Sequence, residues 1–113
     1  MHELAMTESI IELVEAEARK HGSDRVNKIK LRIGQFTGVV KEALEFSFDV
    51  IKQGTMAESA ELQIEIVPLR KRCEPCDKVF GSNGDFDFFC PDCNRPAEIV
   101  SGRELQIEYI DLA

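Results

Sequence analysis

Two Cys-x-x-Cys pairs, Cys73-Glu74-Pro75-Cys76 and Cys90-Pro91-Asp92-Cys93, hold all 4 cysteines of the chain and flank one short loop, Asp77 to Phe89. A Cys-x-x-Cys turn aims two thiolates at one point, and two such turns complete a tetrahedron of soft ligands. Zn²⁺ prefers that closed arrangement, with Zn–S near ~2.3 Å. Pro75 and Pro91 stiffen the two turns and lower the ordering cost of gathering the ligands. Iron also fits four cysteines, and the residues alone leave it open. Disulfides are rare in a reducing cytosol, and redox-active dithiols usually sit singly at a strand-to-helix junction. The spacing therefore favours zinc. Four cysteines leave no open position for a substrate water, so this site is expected to hold the fold and not to catalyse.

At 113 residues the chain suits one domain carrying a smaller insert. It is 43% hydrophobic but has no apolar run approaching the ~20 residues of a membrane span. The start, Met1-His2-Glu3-Leu4, soon turns acidic and reads as neither signal nor transit peptide, so a cytoplasmic setting is expected. The net charge of −7 disfavours binding to phosphate backbones. The one dense basic run, Arg70-Lys71-Arg72, reads as a solvated lead-in to the cysteines. No Gly-rich phosphate loop, nucleophile–base pair or open metal site is visible, so the protein is not expected to be an enzyme.

The periodicity alternates between helix and strand. Residues 4–21 form an amphipathic pattern with Leu4, Ile11, Val14 and Ala18 on one face, widened by Ile10 and Leu13. Gly22 stops this helix, and His21 is expected to cap it. From Val26 to Ile33 the period becomes two, with Ile29, Leu31 and Ile33 inward and Lys28, Lys30 and Arg32 outward. A second helix is expected over about 41–52, with Val40, Leu44, Phe48 and Ile51 toward the core and Phe46 and Val50 on its flank. Leu62, Ile64 and Ile66 mark a second strand, ending at Pro68, and Leu105, Ile107 and Tyr109 a third. Glu65 and Glu108 oppose the basic face of the first strand. The expected fold is α+β: two helices packed on a small three-stranded mixed sheet, with an inserted four-cysteine zinc-binding module between neighbouring strands two and three. The domains expected are 1–68 plus 99–113 for the layer and 69–98 for the module.

The other place for metal chemistry is the N-terminus. His2 offers a backbone nitrogen and a ring nitrogen. The Met1 amine and the Glu3 amide nitrogen complete four nitrogens in a planar set, which suits Ni²⁺ or Cu²⁺ better than Zn²⁺. Taken alone, the same residues also read as a frayed terminus with an incidental histidine.

Several stretches together resemble the HypA/HybF family of hydrogenase nickel-incorporation proteins. They are Met1-His2-Glu3-Leu4, Leu31-Arg32-Ile33-Gly34, Ala43-Leu44-Glu45-Phe46-Ser47-Phe48, Gly54-Thr55, Leu62-Gln63-Ile64 up to Pro68, the two cysteine pairs, and Gly102-Arg103-Glu104-Leu105. The likeness runs from end to end. It implies a metallochaperone with Ni²⁺ as transferred cargo. His2 would be its indispensable ligand, with Met1 and Glu3 as backbone ligands, and Cys73, Cys76, Cys90 and Cys93 would hold structural Zn²⁺. It further implies a maturation GTPase of the HypB type and a [NiFe]-hydrogenase large-subunit precursor as partners; service to urease is equally compatible. No partner nucleic acid or membrane is expected, and a monomer or weak homodimer is. No histidine neighbours the cysteines, so a histidine-exchange switch at the zinc is not supported. The competing reading is a zinc-ribbon adaptor for a nucleic acid or transcription complex, against which the acidic charge stands.

Overall fold

The computed structural model describes residues 3–81 and 88–113; the expectations placed on Met1 and His2 lie outside the described residues. The first helix, α1 (Glu3–Lys20), buries Thr7, Ile11, Val14 and Ala18, a spacing of four, three and four that keeps one face inward. Thr7 takes the place expected for Leu4, which is exposed, and Leu13 is exposed as well. The Thr7 hydroxyl tolerates burial because it donates to the Glu3 carbonyl at 2.8 Å. At the other end Ser23 N–H reaches Ala18 O and Gly22 N–H reaches Arg19 O, with Gly22 at φ 72°. This paired closure satisfies two end carbonyls and needs a left-handed residue.

Strand β1 (Val26–Gly34) is the centre of the first sheet, in the order β2-β1-β6. It pairs in parallel with β2 (Glu61–Val67) and antiparallel with β6 (Leu105–Leu112). The sheet is therefore mixed, as expected. Strands two and three of the sequence reading are not neighbours, however, since β1 lies between them. The reason is visible in β1 itself: Ile29, Leu31 and Ile33, together with Val26, are the most buried residues of the sheet. A strand that apolar gains most by flanking on both sides. Each of the three meets an apolar residue on both partners, as with Ile29 between Leu62 and Ile110.

On the outer face Lys28 reaches Glu61, and Lys30 and Arg32 reach Glu65, at 3.6–4.0 Å. Glu108 falls where the register steps from Lys30↔Tyr109 to Leu31↔Ile107, so it occupies a bulge; Tyr109 instead lies under Lys28.

The crossover from β1 to β2 carries α2 (Lys41–Ile51), which buries Leu44, Ser47 and Phe48. Full burial of a side chain such as Leu44 or Phe48 supplies about 1.5–3 kcal/mol. Val40, Phe46 and Val50 are exposed, with Phe46 at 70%, contrary to the placement expected of them. Phe48 and Leu44 already fill the face toward α1 and β2, and Phe46 lies two residues from each, on the far side.

The chain then leaves the layer. A second sheet, in the order β4-β3-β5, is formed by β3 (Arg70–Cys73), β4 (Lys78–Gly81) and β5 (Glu98–Ser101), all antiparallel. The boundary expected between 98 and 99 falls inside β5, which pairs with β3. No described helix is long and apolar enough to cross a membrane.

Candidate metal centre and its joint to the layer

The hairpin β3–β4 closes on the pair Cys73↔Lys78, which puts Cys73 at the end of β3 and Cys76 within the four-residue turn, 74–77, that follows. The second turn is fixed by Cys90 N–H to Arg95 O and Asn94 N–H to Cys90 O, both 2.8 Å. The residue after each pair, Asp77 and Asn94, is left-handed, at φ 51° and 56°. Asp and Asn are the residue types that adopt this conformation most readily after glycine. The Asp92 N–H also points at Cys90 Sγ, 3.4 Å away.

These turns bring the four Sγ atoms within 4.8 Å of one another, with Cys73 and Cys93 at 3.5 Å. A tetrahedron with Zn–S of ~2.3 Å has edges of ~3.8 Å. A disulfide needs ~2.05 Å, and all four cysteines are free. The cluster is therefore of the right size and chemistry for one metal ion. Cys73 and Cys90 are buried, Cys93 is half-buried and Cys76 is exposed.

Crowding splits the acidities. The bond to Cys93, with Cys73 and desolvation behind it, pushes the Cys76 thiol up to about 12. The Cys76 backbone N–H pulls Cys73 down, but desolvation and the neighbouring thiols outweigh it and leave Cys73 raised. Cys90 is lowered to about 7, chiefly by the Cys93 N–H and, against desolvation, by that of Asp92. Without a cation the four thiols do not ionise together; a metal removes that obstacle.

The basic run before Cys73 is a solvated lead-in only in part: Arg70 is exposed, but Lys71 is not. Strand alternation turns Lys71 and Cys73 inward, and Lys71 is 1% exposed. Its ammonium lies 5.0 Å from the Phe88 ring centre and 5.5 Å from that of Phe80, a setting that favours a desolvated cation. Arg72 binds Asp77 at 2.6 Å, and Lys78 binds Asp92 at 2.7 Å.

The module meets the layer at the end of β1. The Gln35 side chain accepts from Leu69 N–H at 2.9 Å, and Phe36 N–H donates to Gly102 O at 2.8 Å. The Phe36 ring stands edge-on to Phe88 at 5.8 Å, with Arg103 against Phe36. Glu3, at the start of α1, accepts from Val40 N–H at 3.3 Å. Val40 precedes α2 and supplies no side-chain cap of its own, so the Glu3 carboxylate ties the N-terminal end of α1 to the start of α2. His21 bonds Glu17 at 3.2 Å on the exposed end of α1. Sequence reasoning missed Lys71, Gln35, the Phe36–Phe88 contact and the Lys78–Asp92 pair. For Lys71 the one local signal was its alternation with Cys73, which puts both on the same face of a strand.

A small α+β layer bearing a closed four-thiol cluster defines a metal-binding protein. Over residues 1–112 the sequence matches the family described as "Hydrogenase/urease nickel incorporation, metallochaperone, hypA". The chain belongs to this HypA family, whose members are metallochaperones and maturation factors rather than enzymes. Relatives named "Hydrogenase maturation factor HypA" include one from Roseiflexus sp. (strain RS-1), 42% identical over 98% of this chain and 91% of its own length. Another, from Acidithiobacillus ferrooxidans (strain ATCC 53993 / BNL-5-31), is 38% identical over 99% of both chains. The fold is shared with the solution structure of the Ni metallochaperone HypA from Helicobacter pylori. That comparison has a TM-score of 0.70 and 23% identity over 99% of this chain and 97% of that one.

Proposed function

We propose that this protein carries Ni²⁺ at its N-terminus and delivers it during [NiFe]-hydrogenase maturation. The observation that carries the reading is the family match along the whole chain. His2 supplies the indispensable ring nitrogen, and the Met1 amine with backbone nitrogens of His2 and Glu3 completes a planar set that suits Ni²⁺ and disfavours Zn²⁺. Binding displaces protons from these nitrogens, so affinity falls as pH drops. The Glu3 carboxylate is engaged at Val40, which agrees with a backbone role for Glu3 at the metal.

Cys73, Cys76, Cys90 and Cys93 hold a structural Zn²⁺. When bound, Zn²⁺ would supply a fixed charge between the two turns, which the residues of the chain already order around the thiols. The layer, 1–68 with 99–113, serves the cargo; the module, 69–98, serves the fold. The partners proposed are a GTPase of the HypB type and the hydrogenase large-subunit precursor, in the cytoplasm. Docking of the GTPase is assigned to the acidic face of α1 through Glu12, which is exposed. Glu15, grouped with it on sequence grounds, accepts from Met56 N–H at 3.1 Å and belongs to the fold.

The test is metal analysis with Ni²⁺ titration of untagged native protein and His2→Ala. One zinc in both, with nickel binding lost in the variant, is expected. Equal nickel binding would remove the terminal site. Glu12→Lys should weaken the GTPase complex, and unchanged binding would exclude this face.

A further inference from the structure

The two cysteine turns stand on different supports. Cys73 and Cys76 lie in the hairpin β3–β4. Cys90 and Cys93 lie in a loop closed on itself through Cys90 N–H to Arg95 O and the bridge Phe89↔Pro96, and this loop reaches β3 further along, through β5. A closed tetrahedral site yields its metal when one turn swings from the other, because a competing ligand needs a vacated position. Lys78 Nζ donates to Asp92 Oδ2 at 2.7 Å. Lys78 opens β4, two residues beyond Cys76, and Asp92 sits between Cys90 and Cys93. The ion pair therefore crosses from one turn to the other. Asp92 also gives its N–H to Cys90 Sγ at 3.4 Å, so one residue both orients a ligand and anchors the crossing. The two side chains are 47% and 56% exposed, which limits what the pair adds to folding. Its position still resists the separation through which metal leaves.

We propose that Lys78 and Asp92 form a latch that slows metal release from the four-cysteine site. They are positioning residues that contact no metal themselves. The inference rests on the reading that the four cysteines hold a metal ion.

The test uses the full zinc-loaded chain with an excess of a chromogenic zinc chelator, following release at low and high NaCl. Lys78→Met and Asp92→Asn are each expected to release zinc about three- to fivefold faster, the upper range for an exposed pair. The double variant should be no faster than the faster single, because both remove the same interaction. Release from the native protein should quicken with salt, and release from Asp92→Asn should not. Native rates in both single variants would overturn the latch, as would a double variant equal to the product of the singles. Should a variant fail to fold, the native salt series decides, and a salt-independent rate overturns the proposal. Purified native protein devoid of zinc would defeat the metal reading itself, and that outcome appears before any variant is compared.

Discussion

Gly34→Ala isolates the joint between layer and module. Gly34 has ordinary extended geometry, φ −73° and ψ 143°, so alanine meets no conformational penalty there. The obstacle is another stretch of backbone: an added Cβ would run into the Gly102 carbonyl and lie 2.6 Å from Arg103 N. The 102–104 segment must retreat, and it holds Gly34 N–H to Glu104 O at 2.7 Å and Phe36 N–H to Gly102 O at 2.8 Å. Each bond lost costs about 0.5–1.5 kcal/mol, and a buried amide left without a partner costs about 1–3 kcal/mol. The reduced freedom of the unfolded chain offsets about 0.4–1 kcal/mol. A net loss of about 2–4 kcal/mol follows, and a fall in Tm of roughly 10–20 °C. Urea unfolding at equal zinc loading measures it, since bound metal shifts apparent stability. Gly22→Ala is the control: Gly22 lies at φ 72° with nothing within 4 Å of a built Cβ, so it suffers only the left-handed strain of about 1–2 kcal/mol. If Gly22→Ala proved the more damaging of the two, the close-approach argument would be refuted.

At pH 8 Cys76 and Cys73 keep their protons in the metal-free protein, since one is pushed up to about 12 and the other raised, while Cys90, at about 7, is mostly ionised. Zinc binding at pH 6 must therefore displace the Cys90 proton in addition, so proton release should rise and affinity fall as pH drops; calorimetry in buffers of different ionisation enthalpy reads both, and constant release would contradict the assignment. Phe48→Ala should cost about 3–5 kcal/mol in urea unfolding, whereas Phe46→Ser, at a position 70% exposed, should stay within about 0.5 kcal/mol. Glu15→Ala should lose about 1–2 kcal/mol by stranding Met56 N–H, and Glu15→Gln, which keeps an acceptor, should recover most of it.

The elements themselves were legible because their signals are local. The three-to-four spacing of Ile11, Val14 and Ala18, the alternation from Ile29 to Ile33 and the doubled Cys-x-x-Cys are patterns within a few residues. Strand order was not, since alternation says which face of β1 is inward and nothing about which strand lies on each side. Phe46 was misplaced because a helix with apolar residues on several faces offers more candidates than its partners can cover. Lys71 was misread because charge ordinarily marks solvent; only the tertiary fold brings Phe80 and Phe88 over it. At the candidate metal centre the gathering of the four cysteines could be read from spacing, but Lys78–Asp92 joins residues fourteen apart in sequence.

The second sheet enters and leaves the layer at one place. Leu69 and Gly102 abut so closely that a Cβ on Gly102 would lie 2.7 Å from Leu69 Cα, and Ser101 Oγ donates to Pro68 O at 2.8 Å. An insert whose entrance and exit share one doorway is separable in principle. A chain rejoined at those residues would still run continuously from β2 into β6. Beside that doorway the Phe36–Phe88 contact, with ring centres 5.8 Å apart, is a second tie, so the module is held to the end of β1 by more than its entering and leaving strands.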